Sequence, residues 1–114
     1  MINQLVDLDQ LHFQCTSHKI GSKSILYPSS KGGDAITQIA IGRLNAGEVI
    51  EEHVHPTMIE RFVILKGACI FIIANETHLV ERAQMISIRQ NLGHSIIAKS
   101  EAEFIYWGES VKKQ

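Results

Sequence analysis

Residues 47–67 read Gly47-x5-His53-x-His55-x4-Glu60-x6-Gly67, which sets two imidazoles and a carboxylate within eight positions. Imidazole nitrogen and carboxylate oxygen are donors that divalent first-row transition ions accept. With 6 His and 8 Gly among 114 residues, chance would place the whole pattern in such a chain about 10⁻⁴ times, so the spacing requires a cause. A polar pair exposed on an edge strand would account for His53 and His55 alone. It leaves Glu60 and the two glycines unexplained.

Geometry supplies the link between spacing and chemistry. Successive side chains of a strand point to opposite faces, so His53 and His55 share a face, two residue rises apart, and can chelate one ion. Pro56 lacks a ladder donor and favours a bend, which lets Glu60 enter on the following strand.

The pattern resembles the first signature motif of the cupin superfamily, with both glycines, both histidines and the glutamate at the family's spacing. In that family the motif forms two strands of a small β-barrel, and a second motif, Gly-x5-Pro-x-Gly-x2-His-x3-Asn, adds one more histidine. Aligned on His94, the second motif falls on Ala83, Arg89, Asn91, His94 and Ala98, so the histidine alone is kept. The 15 residues between the motifs, 68–82, suit the family's separation. The resemblance implies a metal set of His53, His55, Glu60 and His94 and an all-β, double-stranded β-helix (jelly-roll) barrel. Asn91 is expected to take the left-handed backbone in glycine's place, because Asn tolerates positive φ better than most residues. Gly93 offers a second place for the chain to turn.

The elements that must position these residues are short strands. Residues 22–27 read as a strand stopped by Pro28, and 29–34 as a loop by their Ser, Lys, Gly and Asp content. Strands are then expected at 36–44, 49–55, 61–65, 69–74, 78–81, 85–88, 95–99 and 103–107, with turns at 45–47, 66–67 and 75–77. Close, regular spacing of this kind indicates a sandwich or barrel. Leu5, Leu8 and Leu11, three apart beside Asp7 and Asp9, form either a short helical turn or an irregular arm. The chain therefore divides into an arm, 1–21, and one barrel domain, 22–114.

Parity along the strands marks the walls of a pocket. If Glu60 faces inward so do Phe62 and Ile64, and if His94 does so does Ile96. Tyr106 and Trp107 fall on opposite faces, so one of them alone can line the cavity; Tyr106 is taken with Met58 and Arg43 as candidate lining. Gln38 and Arg61 fit either a place beside the site or a solvated outer face. His12, His18 and His78 lie outside any ligand spacing and read as surface residues.

Composition narrows the class. A chain of 114 residues is one domain with one core. Eleven basic and 12 acidic residues give a net charge of −1, which offers no electrostatic footprint for nucleic acid or an anionic membrane. The longest strongly apolar run, 68–74, is too short to span a bilayer. The first residues lack the basic start and apolar stretch of a secretory signal, so a cytoplasmic protein is expected. Cys15 and Cys69 are then expected as free thiols.

Four protein ligands leave two open positions on an octahedral Fe(II), Mn(II), Co(II) or Ni(II), or close a tetrahedron on Zn(II). An open site binds substrate or dioxygen, polarises a carbonyl, or acidifies bound water. The expected function is that of a small metalloenzyme acting on a small organic substrate, with dioxygenase or isomerase chemistry. The alternative is a non-catalytic module that binds or senses a metabolite. Catalysis would be centred on the metal, with Glu60 the one candidate base if it leaves the ion. A homodimer is expected, since a short barrel leaves sheet edges to cover and the arm can pack on a partner.

Overall fold

The structure is a computed structural model that describes residues 5–17, 19–28 and 35–111. His18 and the expected loop at 29–34 lie outside the described residues. Among the described residues ten strands follow in order: β1 (Gln14–Cys15), β2 (Ser22–Tyr27), β3 (Ile36–Leu44), β4 (Val49–His53), β5 (Met58–Lys66), β6 (Ala68–Ile73), β7 (Glu76–Glu81), β8 (Met85–Ile88), β9 (His94–Ala98) and β10 (Ala102–Ser110). Among the described residues there is no helix, hence none long and apolar enough to cross a membrane.

The strands form two antiparallel sheets. The larger runs β1-β2-β3-β10-β5-β8 and the smaller β4-β9-β6-β7. Successive strands alternate between the sheets for much of the chain, β3 to β4, β5 to β6 and β9 to β10, which is the jelly-roll form of an all-β fold. The arm is irregular apart from one turn, in which the Gln10 N–H donates to the Asp7 carbonyl at 3.0 Å. Asp7 also accepts from the Asp9 N–H at 2.9 Å, so an aspartate closing a local turn replaces a helical one. The sheet itself starts at Gln14, which pairs with Lys23.

Alternation of side chains builds the core, as β6 shows with Cys69, Phe71 and Ile73 buried between partly exposed neighbours. Phe62 is central, with ring centroids 5.0 Å from Phe71 and 5.7 Å from Phe104 in edge-on contacts. Such pairs add about 0.5–1.5 kcal/mol to the gain from burial. Leu44, Ile64, Ile88, Ile96 and Ala98 complete the packing. The β6–β7 turn is tighter than expected: Ala74 and Asn75 take φ of 48° and 67°. Positive φ at both central residues is the two-residue hairpin geometry that matches strand twist.

Candidate metal centre

The four candidate ligands come from both sheets. His53 ends β4 and stands opposite His94, the first residue of β9, in the smaller sheet. Glu60 lies on β5 in the larger sheet, between Gly108 and Ile88. His55 sits just past the end of β4 and not within a strand, since Pro56 ends the extended run there. The register of β4 shifts between Ile50 and His53, and both histidine side chains line the same cavity.

Local chemistry around His94 replaces the missing motif residues. Asn91 takes φ of 66°, and its N–H donates to the His55 carbonyl at 3.0 Å. The second turn thus hangs on the first motif. Gly93 does not supply a positive φ; a methyl group there would lie 2.8 Å from the carboxylate oxygen of Glu52, an exposed side chain that can move aside.

The ligand atoms of His53, His55, Glu60 and His94 all lie within 4.8 Å of one another. Donors bonded to one ion at about 2.1 Å sit roughly 3 to 4.2 Å apart, so small side-chain shifts close the set on an ion. The His53 Nδ1–H donates to the Glu51 carbonyl at 2.9 Å, and the His94 Nδ1–H to the Leu92 carbonyl at 3.0 Å. Carbonyls only accept, so Nδ1 carries the proton in both rings and Nε2 is the nitrogen turned to a possible ion.

His94 is almost wholly buried, and its Nε2 lies 3.0 Å from Glu60 Oε1, while His55 Nε2 lies 3.6 Å from the same oxygen. Burial disfavours the His94 cation, but hydrogen bonds to Glu60 and Leu92 and the charges of Glu60 and Glu52 outweigh it and hold the imidazole above its usual value. The ring is thus held between the Leu92 carbonyl at Nδ1 and the Glu60 carboxyl at Nε2. The donor set of three imidazoles and one carboxylate fits a divalent first-row ion.

A cavity of about 220 Å³ opens beside the cluster. His53, His55 and Glu60 reach it, and so do Met58, Phe62, Ile96, Tyr106 and Arg43. Ile64 shares the inward face but does not line the cavity; it is packed in the apolar core one pair beyond Phe62. Arg43 touches only the rim with its charge engaged elsewhere: the guanidinium pairs with Glu103 at 2.8 Å and lies over the Phe13 ring. Trp107 is on the outer face, near Glu109. Arg61 is there too, bonded to Glu109 and Ser87. His78 and His12 are exposed.

Gln38 of β3 takes the first of its two expected places and lines the cavity, and several lining residues escape the motif reading: Thr16 and Ile20 of the arm, Lys23 of β2 and Gly42 of β3. The alternation Gln38, Ala40, Gly42, Leu44 is a legible signal for β3, since these residues share one face. The arm has no such signal, because its position depends on β1 joining β2.

Known structures share this architecture. A crystal structure described as a predicted oxalate decarboxylase from Thermotoga maritima superposes with a TM-score of 0.80 at 17% identity, over 95% of this chain and 100% of that one. KdgF from Halomonas sp. gives 0.79 at 11% identity, over 99% and 97% of the two chains. An RmlC-like cupin from Shewanella frigidimarina gives 0.77 at 8% identity, over 98% and 95%. Identities this low show a shared fold. No curated protein sequence matches the chain. The family model of the cupin domain matches residues 40–108, which runs from within β3 to within β10 and includes both segments that carry the candidate ligands and more than half of the sequence. This chain belongs to the cupin domain family.

Proposed function

We propose that this protein is a metal-dependent cupin acting on a small organic substrate, with His53, His55, Glu60 and His94 holding one divalent first-row ion in the cavity wall. The observation that carries this reading is the convergence of four ligand atoms within 4.8 Å of one another at the edge of a cavity. A bound ion would supply Lewis acidity, or redox chemistry with dioxygen. The chain's own part is to hold the substrate in an apolar pocket, where Phe62, Ile96 and Phe104 limit water and strengthen electrostatic effects. Dioxygenase and isomerase chemistry both fit, and the Thermotoga maritima neighbour, described as a predicted oxalate decarboxylase, supports a small oxygen-rich substrate.

Elemental analysis of protein purified without chelator tests the reading. About one transition ion per chain is expected, lost in His53→Ala; a metal-free protein that retains ligand binding in that variant would sink it. Among the described lining residues no carboxylate or imidazole stands apart from the four ligands. That feature supports the second reading, a binding module without turnover, which predicts substrate binding at the ion with no product. The homodimer belongs to this proposal as well, with a second copy covering Leu5, which is 83% exposed, and Leu8. Sedimentation giving a monomer at micromolar concentration would count against it.

A further inference from the structure

Residues Phe104, Tyr106 and Gly108 of β10 form one row of alternate positions, and all three line the cavity. Tyr106 stands between Ala40 of β3 and Phe62 of β5. Its ring lies flat against Phe62, centroids 5.6 Å apart and planes 15° apart, with Phe104 tilted on it at 5.7 Å. Gly42 makes the room: a methyl group there would lie 3.2 Å from the Tyr106 ring and 2.7 Å from that of Phe104. A phenol packed on these sides has little freedom, so its hydroxyl points to a set place. Phe62 and Glu60 share the inward face of β5 two residues apart, which puts Tyr106 one row from the ligand cluster.

The hydroxyl has no hydrogen-bond partner among the described residues. Burial first, and then the charge of Glu60, push the phenol up to about 12, so it is a donor at any ordinary pH and is close enough to feel the carboxylate. Because Tyr106 lines the cavity, its hydroxyl is open to a ligand oxygen that takes the place of water. Lys23 pairs in register with Gly42 and also lines the cavity. Its ammonium favours an acid over a neutral carbonyl compound.

We propose that Tyr106 is the positioning donor of this cavity, its hydroxyl bonding one oxygen of a small carboxylic acid whose other oxygen faces His53, His55, Glu60 and His94. This rests on the metal-dependent reading above. The apolar walls of Phe62, Ile96 and Phe104 suit the short carbon skeleton of such an acid, and a cavity of about 220 Å³ holds one of that size.

The test titrates cobalt(II)-loaded protein with oxalate and, separately, with imidazole, following the visible absorption of the ion. Tyr106→Phe keeps the ring and its stack, so the melting temperature should stay within a few degrees of the parent's. Oxalate should bind about tenfold more weakly, the effect of one hydrogen bond to a charged group. Imidazole, which reaches the ion through nitrogen alone, should be unaffected. Lys23→Met, away from the aromatic stack, should weaken oxalate severalfold and leave imidazole alone. The proposal is overturned if Tyr106→Phe binds oxalate as the parent does, if both probes weaken equally, or if the cobalt-loaded parent ignores oxalate. A parent that takes up no cobalt is a different result: it removes the metal reading and this proposal with it.

Discussion

The segment at residues 47–67 has glycine at both ends, with φ of 85° at Gly47 and 75° at Gly67, whereas residues 83–98 place Ala83 and Asn91 where the family's glycines stand, at φ of 67° and 66°. Both segments deliver imidazoles to one cluster. The contrast teaches that the requirement is a backbone conformation, and that residue type sets its cost. An L-residue with a Cβ pays about 1–2 kcal/mol to turn left-handed, and Asn pays less because its side chain tolerates that region. The second segment meets the cost through bonds to its surroundings. The Ala83 N–H donates to the Ile64 carbonyl at 2.8 Å, the Ile64 N–H to the Gln84 carbonyl at 3.0 Å, and the Asn91 N–H to the His55 carbonyl at 3.0 Å.

The largest test of this contrast removes one ligand from each segment. If the degenerate segment delivers its histidine as firmly as the intact one, His94→Ala and His53→Ala should each weaken metal binding roughly 100-fold or more, a ligand's share of the binding energy. Competition against a chelator reads this out. Intact affinity in His94→Ala alone would mean that the second segment is not part of the centre.

Next in size are the glycines of the first segment, which differ in kind. A methyl group at Gly67 would overlap the Glu101 carbonyl, whereas at Gly47 nothing lies within 4 Å. Gly67→Ala combines overlap with strain and should cost roughly 2–4 kcal/mol in denaturant unfolding. Gly47→Ala should cost about 1 kcal/mol, the conformational part alone. Equal losses would show that the overlap is relieved by a backbone shift.

The reverse substitutions in the second segment should be smaller and of opposite sign. Ala83 is exposed, so Ala83→Gly changes little but strain and should stabilise by about 0.5–1 kcal/mol. Asn91→Gly should gain less, a few tenths of a kcal/mol. Destabilisation by Ala83→Gly would refute the argument that the residue carries a conformational cost.

The smallest effect concerns the thiols flanking the same architecture. Cys69, two residues past Gly67, is fully buried, and desolvation pushes its thiol up to about 11, while Cys15 is exposed. A thiol reagent at neutral pH should label Cys15 and leave Cys69 until the protein unfolds. Rapid labelling of both would mean that β6 opens readily.

Much of this was legible in the chain. Strands 22–27, 36–44 and 85–88 fall as expected, and most other strands lie within one or two residues of their expected bounds, because short runs bounded by Gly, Asn and Pro have few other ways to fold. Three differences have physical causes. The strand at 49–55 stops at His53, where Pro56 and the turn take over. The strand expected at 61–65 starts at Met58, because β10 offers partners as far as Ser110, opposite Met58. The small strand Gln14–Cys15 has no alternating pattern of its own and exists through its pairing with Ser22 and Lys23.

By itself the sequence determined which residues are candidate ligands, the all-β class, and that Phe62 and Ile96 face inward, since ligand chemistry and period-two alternation are local properties. Only the tertiary structure decided that Glu60 of one sheet meets His94 of the other, that Ile64 belongs to the core, that the charge of Arg43 turns to Glu103, and that Tyr106 rests on Phe62. Each of these depends on the register between strands far apart in the chain, and register is fixed by sheets packing together and not by any single segment.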